Sequence, residues 1–342
     1  MKTKGFTLVE LLVVIAIISM LMGILMPALA KARIIAQRVV CGAHLRGAGS
    51  ALMLYANENN GKYVRAGGMQ SKWGPTKKWN AAGTPALKPE EEAFGLYPNN
   101  LATIGANFYY LIKYADAPAK LFLCPADGAA REFKLSNPEY RGTVPNNDTT
   151  APWDFGTAPQ KHYSYAYHSP FSGVLMGTIS PAPNAPAGNR AYQMPLAAQG
   201  PEAYFPLNAA GGPGMAVMAD RNPYIALAYD NTWDSYVWRN LPAASKETEK
   251  WGNSPNHKGD GQNVLFNDSS VVFVTVPYCG VNEDNIYSLA VPGRAVQVGV
   301  EPWDVFGPNV VPQSRTDSVL INEGLKQGKI ALSGKPGVGR IR

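Results

Sequence analysis

One carboxylate stands alone in the most apolar part of the chain. The run from Phe6 to Leu29 carries no charge except Glu10. An unpaired carboxylate in such surroundings costs several kcal/mol or takes up a proton, so Glu10 must find a cation or lose its charge. A second set of reactive types lies far downstream, in NSPNHKGDGQNVLFNDSSV at 253–271. There ten residues separate His257 from the pair Asp268 and Ser269. These residue types allow three chemistries. His257 as base, Asp268 as orienter and Ser269 as nucleophile would make a hydrolase, but no nucleophile elbow or oxyanion loop accompanies them. Asp260, Asn267 and Asp268, with carbonyls of the glycine-rich turn, would suit calcium, although EF-hand spacing is missing. In the third, His257 and Asp268 are structural: His257 bonds a backbone group or Asp268 and locks the turn ahead of a hairpin. His162 and His168 form no HExxH pattern, and no GxGxxG, Walker loop or GxSxG stands in a suitable setting. No enzyme is expected, and no cofactor beyond that calcium candidate.

The elements that hold these residues begin with one helix. Phe6 to Leu29 is long enough to cross a bilayer core at about 1.5 Å rise per residue. Lys2 and Lys4 precede it with no acid nearby, which favours leaving the N-terminus in the cytoplasm and the rest of the chain outside. Pro27 lacks an N–H and clashes with the preceding turn, so a kink or local unwinding is expected between Gly23 and Pro27. Beyond Lys31 the helix continues to about Asn59. Ile34, Cys41, Leu45, Ala48, Leu52 and Tyr55 fall on one face, interrupted by Arg38. The Asn59-Asn60-Gly61 sequence is a stop.

Three cysteines in an oxidising compartment suggest one bridge and one thiol left over. Cys41 points at the body from the packing face, so Cys41–Cys124 is the preferred bridge, with Cys279 free. The alternative is that all three are small buried hydrophobes. No CxxC pattern is present, which argues against a structural zinc site.

The N-terminus GFTLVE, at Gly5 to Glu10, followed at once by an apolar helix, resembles the type IV prepilins and the pseudopilins of type II secretion. A secretory signal is cut after its apolar core, whereas here the small residue lies before it. The resemblance implies cleavage between Gly5 and Phe6, N-methylation of Phe6 by a prepilin peptidase, and retention of the helix. It also implies that Glu10 pairs with the Phe6 amine of an adjacent subunit and so sets the register of filament assembly. A plain membrane anchor would explain the apolar run, but neither Glu10 nor the Gly–Phe junction. The 253–271 stretch resembles the C-terminal signature of a large pseudopilin-like family, a His followed by nine residues and Asp-Gly. Here the spacing is one longer and Ser269 replaces glycine, which puts the turn after Asp268 in question, since glycine accepts positive φ and serine resists it.

High glycine and proline counts and only 16% charged residues fit a loop-rich extracytoplasmic body better than a helical cytosolic enzyme. The formal charge of +6 falls to +4 once Lys2 and Lys4 are removed, and the basic residues are scattered, so no nucleic acid is expected. The expected fold is α+β and pilin-like: one long N-terminal helix packed on an antiparallel β-sheet with long loops. The expected divisions are a leader at 1–5, a membrane and filament-core helix at 6–30, its amphipathic continuation at 31–60, a body at 61–290 and a loop-rich tail at 291–342. Within the body a helix is expected over Leu101 to Lys113, and strands at 121–125, 164–168 and 215–220. A hairpin joins 264–267 to 271–276, and the tail holds one helix at Ser318 to Gln327. The expected role is a structural subunit of a type IV pilus-like or pseudopilus filament, anchored once in the inner membrane with its body in the periplasm or on a surface filament. Its partners would be the prepilin peptidase, other pilin or pseudopilin subunits, the inner-membrane assembly platform and membrane lipid. A competing role is a surface pilus subunit that binds polysaccharide or another ligand through Trp73, Trp79, Trp153, Trp233 and Trp238. An enzyme on a pilin anchor is the remaining alternative.

Overall fold

The computed structural model describes residues 7–66, 72–73, 101–134, 136, 152–156, 159–168, 208–223, 252–288 and 318–321. Gly5, Phe6, Trp79, Trp233, Trp238, the acidic run Glu90 to Glu92 and most of the tail lie outside these residues.

Helix α1 runs from Leu8 to Glu58. At about 1.5 Å per residue it is about 76 Å long. It passes through Pro27 as one helix, without the unwound turn expected there. Asn59 caps it, and Asn60 and Gly61 take left-handed φ values of 56° and 76°, which ends the helix where the Asn-Asn-Gly composition placed its stop.

The other elements are short. They are β1 (Lys72–Trp73), β2 (Leu101–Ala102), α2 (Ile104–Tyr114), β3 (Tyr165–His168), β4 (Ala216–Asp220), β5 (Gln262–Phe266), β6 (Val271–Val274) and β7 (Leu320–Ile321). Among the described residues, β3 to β7 form a five-stranded sheet in the order β6-β5-β4-β3-β7, antiparallel throughout. The fold is therefore the expected α+β arrangement, a long helix laid on an antiparallel sheet.

Two local expectations change. Residues 119–122 form a 3-10 turn that starts at Pro118 rather than part of a strand, and the Phe122 carbonyl ties the turn to the start of β3 by accepting from Ser164 N at 2.7 Å. Leu320 and Ile321 are strand β7 and not the start of a helix. Their partners are His168 and Tyr167 across the open edge of β3, and edge pairing outweighs a weak local helix preference.

The core lies between α1, α2 and the sheet. Cys41, Leu45, Ala48, Ala51, Leu52 and Ala56 line the inner face of α1 and are buried. Across from them stand Phe108, Phe122, Phe155, Tyr163 and Tyr167. The Phe108 ring is 4.9 Å from Phe122 and 5.1 Å from Tyr163. Small residues on α1 let the body come close. A Cβ at Gly49 would stand 2.9 Å from Leu265 Cδ1, and one at Gly47 would stand 2.9 Å from Leu121 Cδ2. Arg38 does not interrupt the packing face. Its guanidinium lies 2.7 Å from Asp260 Oδ2 and 4.5 Å from the centre of the Phe273 ring, so the side chain seals the near end of the joint.

Candidate functional site

Two regions carry the functional side chains. The first is the start of α1. Thr7 is the N-cap and Glu10 the third helical residue. The Thr7 side chain accepts from Glu10 N at 3.3 Å, and Glu10 Oε2 accepts from Thr7 N at 2.9 Å and from the Thr7 hydroxyl at 2.7 Å. This is a capping box, and it satisfies two backbone donors that the helix start otherwise leaves open. The T-x-x-E spacing of Thr7 and Glu10 is the local sequence sign of this cap, a role that Glu10 as a buried charge alone does not convey. Between this cap and Leu29 the one polar side chain is Ser19, whose hydroxyl donates to the Ile15 carbonyl at 2.7 Å. Every large apolar side chain from Leu8 to Leu29 is at least 44% exposed on the isolated chain. The helix is long and apolar enough to cross a membrane.

The second region is where α1 meets the body. Cys41 on α1 and Cys124 are joined by a disulfide with Cα atoms 5.1 Å apart, closing a separation of 83 residues. In the chain-entropy view a loop of that size contributes about 4 to 5 kcal/mol. Beside it His44 Nδ1 lies 2.6 Å from the Leu123 carbonyl, and the Gln37 amide donates to the Pro125 carbonyl at 3.1 Å. Both hold the 121–125 segment along the helix. Cys279 is free, and burial pushes its thiol up to about 12, so it stays protonated and unreactive at ordinary pH.

His257 sits under this bridge. Its Nε2 is 3.2 Å from Asp220 Oδ2, 3.2 Å from the Asn263 amide nitrogen and 3.8 Å from Cys124 Sγ. Its ring stands edge-on to Phe273 at 5.7 Å. Asp220 is a hub. Its Oδ1 accepts from the Asn256 amide at 3.1 Å, and its Oδ2 from Asn263 N at 2.7 Å. Its backbone carbonyl accepts from the Tyr287 hydroxyl at 2.7 Å. The next two residues extend the network. Arg221 is buried and bonds Asp127 at 2.7 Å, together with the carbonyls of Gln160 and Tyr163. The Asn222 amide donates to the Tyr287 and Leu320 carbonyls. The sequence marks 215–220 as a strand but not this network, because the partners of each side chain are dozens of residues away.

The residues singled out around the hairpin do not converge. His257 precedes β5 and Asp268 follows it, so the strand separates them, and His257 pairs with Asp220 instead. Asp260 and Asp268 likewise stand at opposite ends of β5. At about 3.3 Å per residue they are too far apart to share one ion. Asp260 is taken by Arg38, and the Asn267 amide donates to the Gly211 carbonyl at 2.9 Å. Asp268 is exposed and accepts from Ser270 N at 2.9 Å, and hydrogen bonds from Ser270 hold its carboxyl below the ordinary range. The turn keeps its shape with serine in it. Phe266 N donates to the Ser270 carbonyl and Ser269 N to the Phe266 carbonyl, leaving a three-residue loop whose last residue, Ser269, has φ 68°. Before β5, Gly261 has φ 150°, and a Cβ there would meet the Val274 carbonyl oxygen at 2.3 Å, so only glycine fits.

Trp153 closes a partly exposed aromatic group at the end of α2. Lys113 Nζ lies 3.4 Å from its ring centre, and the Tyr110 and Tyr114 rings are each 6.1 Å away.

Residues 1–26 match the family described as the prokaryotic N-terminal methylation motif. No curated protein and no solved structure matches the chain. The match supports a pilin-type substrate of a prepilin peptidase with an apolar N-terminal helix. It stops well before His257, whose surroundings rest on geometry alone.

Proposed function

We propose that the chain is a structural subunit of a type IV pilus-like or type II secretion pseudopilus filament, anchored in the inner membrane until it is assembled. One observation carries this reading: the methylation motif at 1–26 opens a helix whose first half is wholly exposed and whose second half is fastened to a body. A helix apolar on all sides needs lipid or other helices around it, and a filament core supplies the second after the membrane supplies the first. Prepilin peptidase cuts Gly5–Phe6 and methylates Phe6. Glu10 then exchanges its Thr7 partners for the Phe6 amine of an adjacent subunit, which fixes the stagger between helices. The body projects outside the membrane and does mechanical rather than catalytic work.

Mass spectrometry of the mature N-terminus tests the first step. A chain beginning at N-methylated Phe6 is expected, and retention of Met1, or a start after Ala28 or Ala30, overturns the reading. For the second step, Glu10→Ala should still insert in the membrane but fail to enter filaments, measured by the subunit content of sheared filaments against membranes. The polysaccharide-binding reading has one observation in its favour, the half-exposed group of Tyr110, Tyr114 and Trp153, whose faces suit sugar rings. A polysaccharide pull-down with the full chain in detergent, wild type against Trp153→Ala, separates the two roles.

A further inference from the structure

We propose that the dithiol form of this chain binds one zinc ion through Cys41, Cys124, His257 and Asp220. A metal ion and a disulfide would then be alternative fastenings of α1 to the body. Two sulfurs, an imidazole nitrogen and a carboxylate oxygen of these residues all lie within 4.8 Å of one another, and all four residues are buried. They arrive from α1, from the segment after the 119–122 turn, from the end of β4 and from the 3-10 turn at Pro255–His257. No local spacing links them, so the absence of a CxxC pattern does not bear on them.

The geometry suits zinc. With Zn–S near 2.3 Å and Zn–N or Zn–O near 2.1 Å, a tetrahedral site has N···O and S···N edges of roughly 3.4 and 3.6 Å. The observed values are 3.2 Å for His257 Nε2 to Asp220 Oδ2 and 3.8 Å for His257 Nε2 to Cys124 Sγ. The two sulfurs must part to roughly 3.8 Å. Thiolates with an imidazole favour zinc over calcium or magnesium. The ligands are also held from behind, as metal ligands require: Asn256 donates to the other carboxylate oxygen of Asp220, and Phe273 backs the His257 ring. Asn263, whose amide nitrogen is 3.2 Å from His257 Nε2, would have to turn away.

The chemistry balances. A dithiol reductant gives two electrons and two protons to the Cys41–Cys124 bond and becomes a disulfide itself. Zinc then displaces the two thiol protons. A chain not yet oxidised is in the same dithiol state, so zinc would seat α1 on the sheet before the bridge closes.

Cobalt(II) titration of the full-length chain in detergent, reduced with a phosphine, tests this. One cobalt per chain is expected. It should give a thiolate-to-metal charge-transfer band in the near ultraviolet and strong visible bands of a tetrahedral ion, all erased by an equal amount of zinc. The oxidised chain should show none of them. His257→Gln should weaken uptake by roughly tenfold or more, while still forming the Cys41–Cys124 bridge on oxidation, which establishes that it folds. Cys279→Ser should titrate like the wild type. The proposal is overturned by a reduced chain with no charge-transfer band, whether folded or not, by equal uptake in the oxidised chain, by undiminished uptake in His257→Gln, or by loss of uptake in Cys279→Ser.

Discussion

His168 and Asp284 are buried groups that pull stability in opposite directions as pH changes. His168 is fully buried on β3, and burial, opposed only in part by the Ala216 backbone, pushes it from its ordinary 6.5 down to about 4. Between those values the unfolded chain binds the proton and the folded chain does not. Its contribution is therefore intact above pH 6.5 and is lost as pH falls towards 4, about 3 kcal/mol in all. Burial raises Asp284 from 3.8 to about 7, and between those values the folded chain holds the proton while the unfolded chain does not, so its contribution is intact below 3.8 and is lost as pH rises to 7. Between about pH 4 and 6.5 the two slopes oppose each other in the full chain, so melting temperature should rise with pH in Asp284→Asn, where only His168 remains, and fall with pH in His168→Leu, where only Asp284 remains. A profile unchanged by either variant would contradict these assignments. Ser269 belongs to the same scale. Its φ of 68° costs a residue with a Cβ about 1 kcal/mol or more, so Ser269→Gly should raise the urea midpoint with no change in slope.

At the scale of elements, the joint between α1 and the sheet depends on residues that are poor helix formers. Glycine costs about 1 kcal/mol against alanine inside a helix, yet α1 carries Gly42, Gly47 and Gly49 where the body touches it. The cost is offset by approach, since Leu265 on β5 occupies the space a side chain at Gly49 would need. Leu265 is buried, whereas Leu121 beside Gly47 is partly exposed and can swing aside. Gly49→Val should therefore destabilise by roughly 1 to 3 kcal/mol through overpacking, and Gly47→Ala should be close to neutral, in a denaturant series on the two variants. Equal effects would mean that close packing is not the reason for these glycines.

For the whole molecule, the sheet draws on distant parts of the chain. Strand β3 is covered on one side by β4 and on the other by β7, which comes from the tail. Removing residues 318–342 would uncover the backbone of Tyr167 and His168, remove Ser318 Oγ, which accepts from Ala216 N at 3.2 Å, and leave the Asn222 amide without the Leu320 carbonyl. An uncovered edge strand is a template for association. The truncated chain should be cut by protease faster than the full chain and should run as larger species on size exclusion in the same detergent. Unchanged behaviour would mean that β7 is dispensable to the fold.

The sequence alone determined what depends on neighbours along the chain. The apolar run, its lone Glu10 and the stripe from Ile34 to Tyr55 prescribe one long helix, because helical periodicity and bilayer transfer are local properties. The Asn59-Asn60-Gly61 stop and the strands at 165–168 and 216–220 followed from composition in the same way. Only the tertiary structure decided what depends on partners far away. Asp220, not Asp268, faces His257, because β5 carries Asp268 to the other end of the strand. Arg38 became part of the joint because Asp260 and Phe273 were waiting across from it. Leu320 and Ile321 became a strand because β3 had an open edge. Long-range pairing is set by chain closure and by the need to satisfy buried polar groups, and neither leaves a local trace in the order of residues.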